Sequence, residues 1–321
     1  MRGRRLIGVA IVVVWVAVLG WHVRREYYRP AAERLAEAAR TLPPGVAYYS
    51  LFRGRSRAGW GQREMDTLPA GAGFVVRERL DIQLPGLGPV GRTEVRAEAV
   101  LDPDLALRSF THETVTDRER RSLKGVVEGD SVLDVSVERD GSAESLRLSV
   151  RGGVSLANVW PLRLAAQGVA EPGDRYEVLL FDPASVSVRR IRLHIVERAP
   201  RAYPDSADLD SLSRRWYVAG EDTVSAWRVE QEVAGLRLDT WVDEDGRLLS
   251  GEAGALRLER TAFELAFFHR AGEPPAPAES VGRAPDPATR EREGEGDRRS
   301  GGTVDEAPAE GERGSNRSPG R

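Results

Sequence analysis

The sequence predicts a mainly β protein: a curved antiparallel sheet, half-barrel or clam-like, with one short covering helix, preceded by an N-terminal transmembrane helix. Three observations carry this expectation. Apolar and polar residues alternate through the middle of the chain, the period-two signature of strands with one wet face. A charge-free apolar run, Leu6 to Gly20, sits between clusters of arginine. Beyond Arg270, only Val281 and Val304 are aliphatic or aromatic residues larger than alanine.

The N-terminal elements come first. Residues 1–5 form a basic start, and 6–23 are expected to be a transmembrane anchor whose apolar surface includes Leu6, Ile11, Trp15 and Trp21. A helix over that span is about 27 Å long, just short of a hydrocarbon core of about 30 Å. Arg4, Arg5, Arg24 and Arg25 can snorkel to the headgroups, and Trp21 suits the interface. The rival reading is a cleaved signal peptide, against which stand the length of the apolar run and the lack of an Ala-x-Ala site. The first 44 residues hold eight arginines against three glutamates. Arg2, Arg4, Arg5 and the amine on one side of the apolar run nearly match Arg24, Arg25 and Arg29 on the other, which gives only a slight preference for an N-terminus inside. Residues 24–44 are read as a juxtamembrane stalk: Ala31 to Leu42 is rich in helix formers, and Pro43-Pro44 stops it. A first helix of the globular domain fits the same residues.

The β domain is expected over 45–270. Strict alternation marks Leu80 to Leu84, and Thr93 to Leu101 with Val95, Ala97 and Ala99 on one face. Leu133, Val135 and Val137 are followed by an Asp140-Gly141 turn and then Leu146, Leu148 and Val150, a hairpin signature. Trp227, Val229 and Val233 alternate with charges, Leu236 and Leu238 return, and Leu256 and Leu258 precede Phe263 to Phe268. From Val186 and Val188 the apolar phase slips to Ile191, Leu193 and Ile195, which predicts a β-bulge near Arg189-Arg190. Asn158 to Val169 reads as the covering helix, and Glu171 to Asp174 as a turn. Residues 271–321, with mixed charge, Gly and Pro, are expected to be a disordered tail serving as a solvated spacer or a partner-binding arm.

Composition excludes much chemistry. The 321 residues carry 47 Lys+Arg against 50 Asp+Glu, a net charge of −3, which gives no reason to expect nucleic acid. Absence of cysteine removes thiolate nucleophiles, disulfides and cysteine metal sites. His22, His112, His194 and His269 form no metal-ligand spacing, and no nucleophile elbow or phosphate-cradling glycine loop occurs. Asp243-Glu244-Asp245-Gly246 reads as a hairpin turn, because the later ligands of a calcium loop are missing. Asp205, Asp208 and Asp210 fall in a segment, Pro200 to Ser213, expected to be a solvated loop. No catalytic residue, cofactor or metal is assigned. A hydrolase using dispersed carboxylates such as Asp102, Asp104, Asp182 and Asp239 is the enzymatic alternative, and a purely structural spacer is another. Tryptophans are mainly core material, but in an open sheet Trp160, Phe181, Trp227 and Trp241 could line a hydrophobic groove.

Several segments carry a resemblance: Gly173-Asp174-Arg175-Tyr176 through Phe181-Asp182-Pro183, Ala226 to Val229, Thr240 to Arg247, Gly254 to Arg260, and the start Tyr48 to Phe52 with Ala58-Gly59-Trp60. Together they resemble uncharacterised β-rich extracytoplasmic bacterial domains of the kind that precede transglutaminase-like modules, with sheets similar to those of periplasmic lipoprotein carriers. The tail stands where a catalytic module would follow, so no catalytic residue is carried over. The resemblance implies an exported domain on the bacterial inner membrane, N-terminus inside. The expected task is non-catalytic binding of an acyl chain or other hydrophobic ligand, or of an envelope protein. The expected surroundings are the lipid bilayer.

Overall fold

The computed structural model describes residues 13–22, 30–84, 91–129, 131–151, 153–168, 170–233 and 236–268. The segment 271–321, expected as a tail, lies outside them, as do Leu6, Ile11, residues 1–5 and the arginines at 24, 25 and 29. Residues 13–22 are helical, with Trp15 and Trp21 exposed. No helix among the described residues is long and apolar enough to cross a membrane.

Fourteen strands form one antiparallel sheet among the described residues. Eight run outward in sequence: β1 (Gly45–Arg53), β2 (Ser56–Thr67), β3 (Phe74–Leu84), β4 (Gly91–Leu101), β5 (Leu107–Thr116), β6 (Arg120–Glu128), β7 (Val132–Arg139) and β8 (Ser142–Ser149). The chain then crosses to the far edge and returns through β9 (Arg175–Asp182), β10 (Ser187–Leu209), β11 (Trp216–Val233), β12 (Leu236–Asp243), β13 (Leu248–Ala253) and β14 (Leu256–Thr261). In space the order is β8 to β1, then β14 to β9, so β1 and β14 pair in the middle while β8 and β9 are the edges. The sheet is not closed, but its limbs approach. The ring of Phe110 on β5 lies 4.9 Å from that of Phe181 on β9, and Arg121 Nη1 on β6 donates to the Ala184 carbonyl at 2.8 Å. Phe110 reaches across because its ring lies over Gly125, where a Cβ would fall 2.0 Å from a ring carbon.

The one crossover, from β8 to β9, carries the covering helix. Ser155 forms a parallel bridge with Leu180, donating to the Leu179 carbonyl at 2.8 Å and accepting from Phe181 at 2.9 Å. This pairing masks part of the β9 edge that an open sheet would expose. The helix, Trp160–Gln167, has proline in its first turn and left-handed Gly168 (φ 69°) at its end, each suited to that position. It is two residues shorter at each end than Asn158 to Val169, and its Trp160, Leu162 and Leu164 fill the concave face. Directly ahead of the sheet, Ala31–Ala39 forms a helix. Its Ala39 and the following Leu42 are buried in the same core, so this helix packs on the domain rather than standing off it. In chain order these helices are α1 (Ala31–Ala39) and α2 (Trp160–Gln167), and α3 (Phe263–Phe267) follows β14.

The C-terminal helix is clasped to the sheet. Arg57 donates from Nη1 to the Leu265 carbonyl at 2.7 Å and from Nη2 to that of Ala266, while Tyr48 meets Phe263 edge-on at 5.1 Å. Arg57 is buried at this clasp, and desolvation lowers its pKa to about 10.

Two expectations are corrected. The β9–β10 register runs unbroken from Ser187↔Asp182 to His194↔Arg175, so there is no bulge at Arg189-Arg190. The phase slip has another cause: near this turn both faces are covered, Phe181 by Phe110 on one side and Leu180 within the core on the other. The irregularities of β10 lie beyond, at Ile195/Glu197, Pro204/Ser206 and Ser206/Ala207, where it pairs with β11. Those bends let the segment expected as a loop continue as strand to Leu209, with the turn confined to Asp210–Arg215.

Candidate functional site

Two places in the concave face combine polar chemistry with burial, and they lie under and beside α2. Beneath it is a polar floor. The inner faces of β1, β2 and β3 contribute Tyr49, Arg63 and Glu78, because Tyr49 pairs with Gly61 and Arg63 with Glu78 in register. Asn158, just ahead of α2, hydrogen-bonds to Glu78. At the turn after β12, Asp243 is only 3% exposed. Its Oδ1 accepts from the Asp245 and Arg247 amides at 3.0 and 2.7 Å, and its Oδ2 from Arg260 at 3.0 Å. Gly246 (φ 73°) lets this turn press against the helix, since a Cβ there would lie 2.7 Å from Leu162 Cα. Arg63 Nη1 donates to the Gly246 carbonyl at 3.3 Å.

The electrostatics of the floor follow from burial. Desolvation pushes the Glu78 carboxyl above the usual range, against the opposing pull of Arg63 and the Asn158 bond. Asp243 is likewise raised, desolvation outweighing its amide bond from Arg247 and its pairing with Arg260. Tyr49 is raised by burial as well. Among the described residues Tyr49 Oη, Arg63 Nη2 and Asn158 Oδ1 have no hydrogen-bond partner. The space at this floor is only about 10 Å³, too little for an organic ligand.

Beside α2 is a mouth. Between α2 and the β9 edge lies a cleft of about 360 Å³, at the lower end of small-molecule sites. Trp160 and Leu164 of α2, Tyr176, Val178 and Leu179 of β9, and Leu193 of β10 give it an apolar wall. Arg151, Arg163 and Arg190 also line it, with Glu177 as their acidic neighbour. Glu177 is shared between Arg190 at 3.3 Å and Arg192 at 3.6 Å. Arg163 is partly buried, and desolvation lowers its pKa with only the Coulombic attraction of Asp104 opposing.

In the other concavities the charges are paired. A trough of about 590 Å³ crosses β2 to β6, and its Arg77 and Arg79 pair with Glu98 and Glu94 at 3.0 and 2.9 Å. A second, of about 610 Å³, spans β9 to β12 and holds His194, with Arg237 paired to Glu230.

Of the four residues expected to line a groove, only Trp160 faces the mouth. Phe181 packs against Phe110, and Trp227 is core, its indole donating to the Ala170 carbonyl at 3.0 Å. Trp241 lies on the opposite face of β12 from Val242, beneath the Arg201 guanidinium at 4.1 Å. The carboxylates of the enzymatic alternative are scattered and engaged. Asp102 pairs with Arg108, Asp104 accepts from the Ala106 amide at 3.2 Å, Asp182 accepts from Ser185 Oγ at 2.6 Å, and Asp239 meets Arg228 at 3.2 Å. Asp210 caps its own turn, accepting from the Leu212 amide at 2.8 Å and Ser213 Oγ at 2.7 Å, while Asp205 and Asp208 stand on β10. No group of three or more potential metal ligands occurs among the described residues. His112 is half-buried with its buried Nδ1 unpartnered, and desolvation lowers its pKa; His269 is outside the described residues.

Sequence reasoning missed Arg63, Glu78 and Arg163. A signal for Glu78 was present: it falls in phase with Phe74, Val76 and Leu80, the face that turns inward.

No family model matches the chain, and no curated protein matches it; the family suggested by the sequence resemblance is therefore not shown. Solved structures do resemble it. A β-barrel-like protein of a domain of unknown function, DUF1849, from Brucella abortus is 16% identical, with a TM-score of 0.46 over 68% of this chain and 95% of that one. A DUF1089 family protein from Pseudomonas aeruginosa is 17% identical, with a TM-score of 0.33 over 60% of this chain and 88% of that one. Neither name carries an activity.

Proposed function

We propose that this chain is a non-catalytic binding domain, tethered to the bacterial inner membrane and facing out of the cytoplasm, that takes an apolar chain into the cleft between α2 and β9. The carrying observation is the apolar strip of Trp160, Leu164, Val178, Leu179 and Leu193 at the β9 edge of the sheet, which is bridged by Ser155 and carries no neighbouring strand. A cleft there can widen by moving α2 without breaking a strand ladder. Dispersal of the carboxylates supports a binding role over bond-making. The tether rests on the charge-free run at 6–23 and on the exposed apolar surface of residues 13–22.

Full-length protein purified from membranes into amphipol should release about one lipid-like molecule per chain on extraction, detected by mass spectrometry. Trp160→Ala should lower that yield. A ligand-free wild-type chain would overturn the reading. Protease treatment of intact spheroplasts tests the orientation: the β domain should be digested, and protection would place it inside the cell. A second reading, an envelope-protein partner, is favoured by the tip of the β10–β11 hairpin, where Leu212 is 94% exposed near exposed Leu209 and Tyr217.

A further inference from the structure

We infer that the ligand of the α2–β9 cleft is a single-chain amphiphile with an acidic head, a carboxylate or a phosphate monoester, and that Arg163 with Arg151 holds that head. This rests on the apolar-chain reading above and adds the charge of the ligand. Three observations lead to it.

Arg163 is carried on α2, in the helix that fills the concave face, and lines a cleft whose other wall presents Tyr176, Val178, Leu179 and Leu193 beside Glu177 and Arg190. The Arg163 guanidinium makes no hydrogen bond or ion pair with another described residue and feels only the Coulombic attraction of Asp104, whereas Arg77, Arg92, Arg96, Arg108, Arg147 and Arg260 are each paired with a carboxylate. A partly desolvated guanidinium without an anion is costly, and a fold that can place it in solvent has no structural reason to keep it there. The surrounding charge is unbalanced in the same direction: three arginines line the cleft, and the single Glu177 is already divided between Arg190 and Arg192. The geometry therefore leaves Arg163 and Arg151 for an anion brought in by the ligand, and a guanidinium fork suits carboxylate and phosphate oxygens. At about 360 Å³ the cleft suits one chain rather than two.

The full chain in phosphatidylcholine nanodiscs can be irradiated with diazirine-bearing palmitate, diazirine-bearing lysophosphatidate or, as the neutral control, diazirine-bearing hexadecanol, and the adducts mapped by peptide mass spectrometry. An acidic probe should label the peptides spanning α2 and β9 at least fivefold more than the alcohol. Arg163→Gln combined with Arg151→Gln should bring acidic labelling down to the alcohol level while leaving the alcohol unchanged. Arg163→Gln alone should keep or raise the melting temperature, because it removes a partly desolvated charge that has no ion pair; a purely structural arginine would lower it. Equal labelling by acidic and neutral probes in the wild type, a comparison that needs no variant to fold, would overturn the acidic-head inference and leave the apolar cleft standing. No labelling of α2 or β9 by any probe would overturn both.

Discussion

Beneath α2, Arg260 lies 3.0 Å from Asp243 and Arg63 faces Glu78 across a strand pair; beside the same helix, Arg163 forms no ion pair among the described residues and is attracted only by Asp104. The floor is a matched set of charges locked by a turn that touches the helix backbone. The mouth is a mixed cleft, an apolar strip of Trp160, Leu164, Val178, Leu179 and Leu193 beside surplus positive charge. Buried charge with its counter-charge beside it is explained by the fold, because removing either member would strand the other. A partly buried cation without an ion pair is not so explained, and that contrast points to the mouth as the working side.

The comparison can be broken from the floor. Gly246→Ala should cause the largest loss, about 4 kcal/mol, combining left-handed strain with a clash against the Leu162 backbone that no rotamer can relieve. Chemical denaturation measures it, and a loss below about 1 kcal/mol would mean α2 rides loosely on the turn. Asp243→Ala should cost about 3 kcal/mol by leaving Arg260 buried without its partner and the two turn amides without an acceptor.

Glu78 gives a sharper, pH-dependent test. Its carboxyl is raised in the folded state, so the folded protein binds that proton more tightly than the unfolded chain. The resulting contribution favours folding below the ordinary glutamate range and is lost as pH rises through the folded value. Melting temperatures from pH 4 to 8 should therefore show the wild type losing stability relative to Glu78→Gln as pH rises. A flat difference would mean that Arg63 fully compensates the burial. The smallest effect belongs to the outer face: Arg77→Ala should change stability by no more than about 0.5 kcal/mol, although Arg77 contacts both Glu64 and Glu98, because all three are solvent-exposed.

Much of the sheet was legible in the sequence, and the reasons are local. Leu133, Val135 and Val137 with the Asp140-Gly141 turn form β7, a two-residue turn with positive φ at both positions, and the return strand β8. The alternation from Val95 to Leu101 likewise marks the inner face of β4. What failed depended on the distant limb. The apolar slip after Val188 looks like a bulge only if one face of the strand is wet, and Phe110, far away in sequence, covers that second face. Pro200 to Leu209 has the composition of a loop, yet it is held as strand by pairing with β11. Trp241 illustrates the limit at the site: its aromatic character is evident, but β12 turns it away from the cleft toward Arg201. Arg163 could not be singled out, because its neighbours across the mouth come from β9 and β10.

Pairing of β1 with β14 carries a mechanical consequence. Tyr48, near the start of β1, sits opposite Thr261, the last residue of β14, so both chain ends leave the pair on the same side. Tension drawn between them would peel the pair open one rung at a time, a geometry that yields at low force, instead of sliding the strands past each other. Arg57, gripping the carbonyls of Leu265 and Ala266, stands where such a tear would begin.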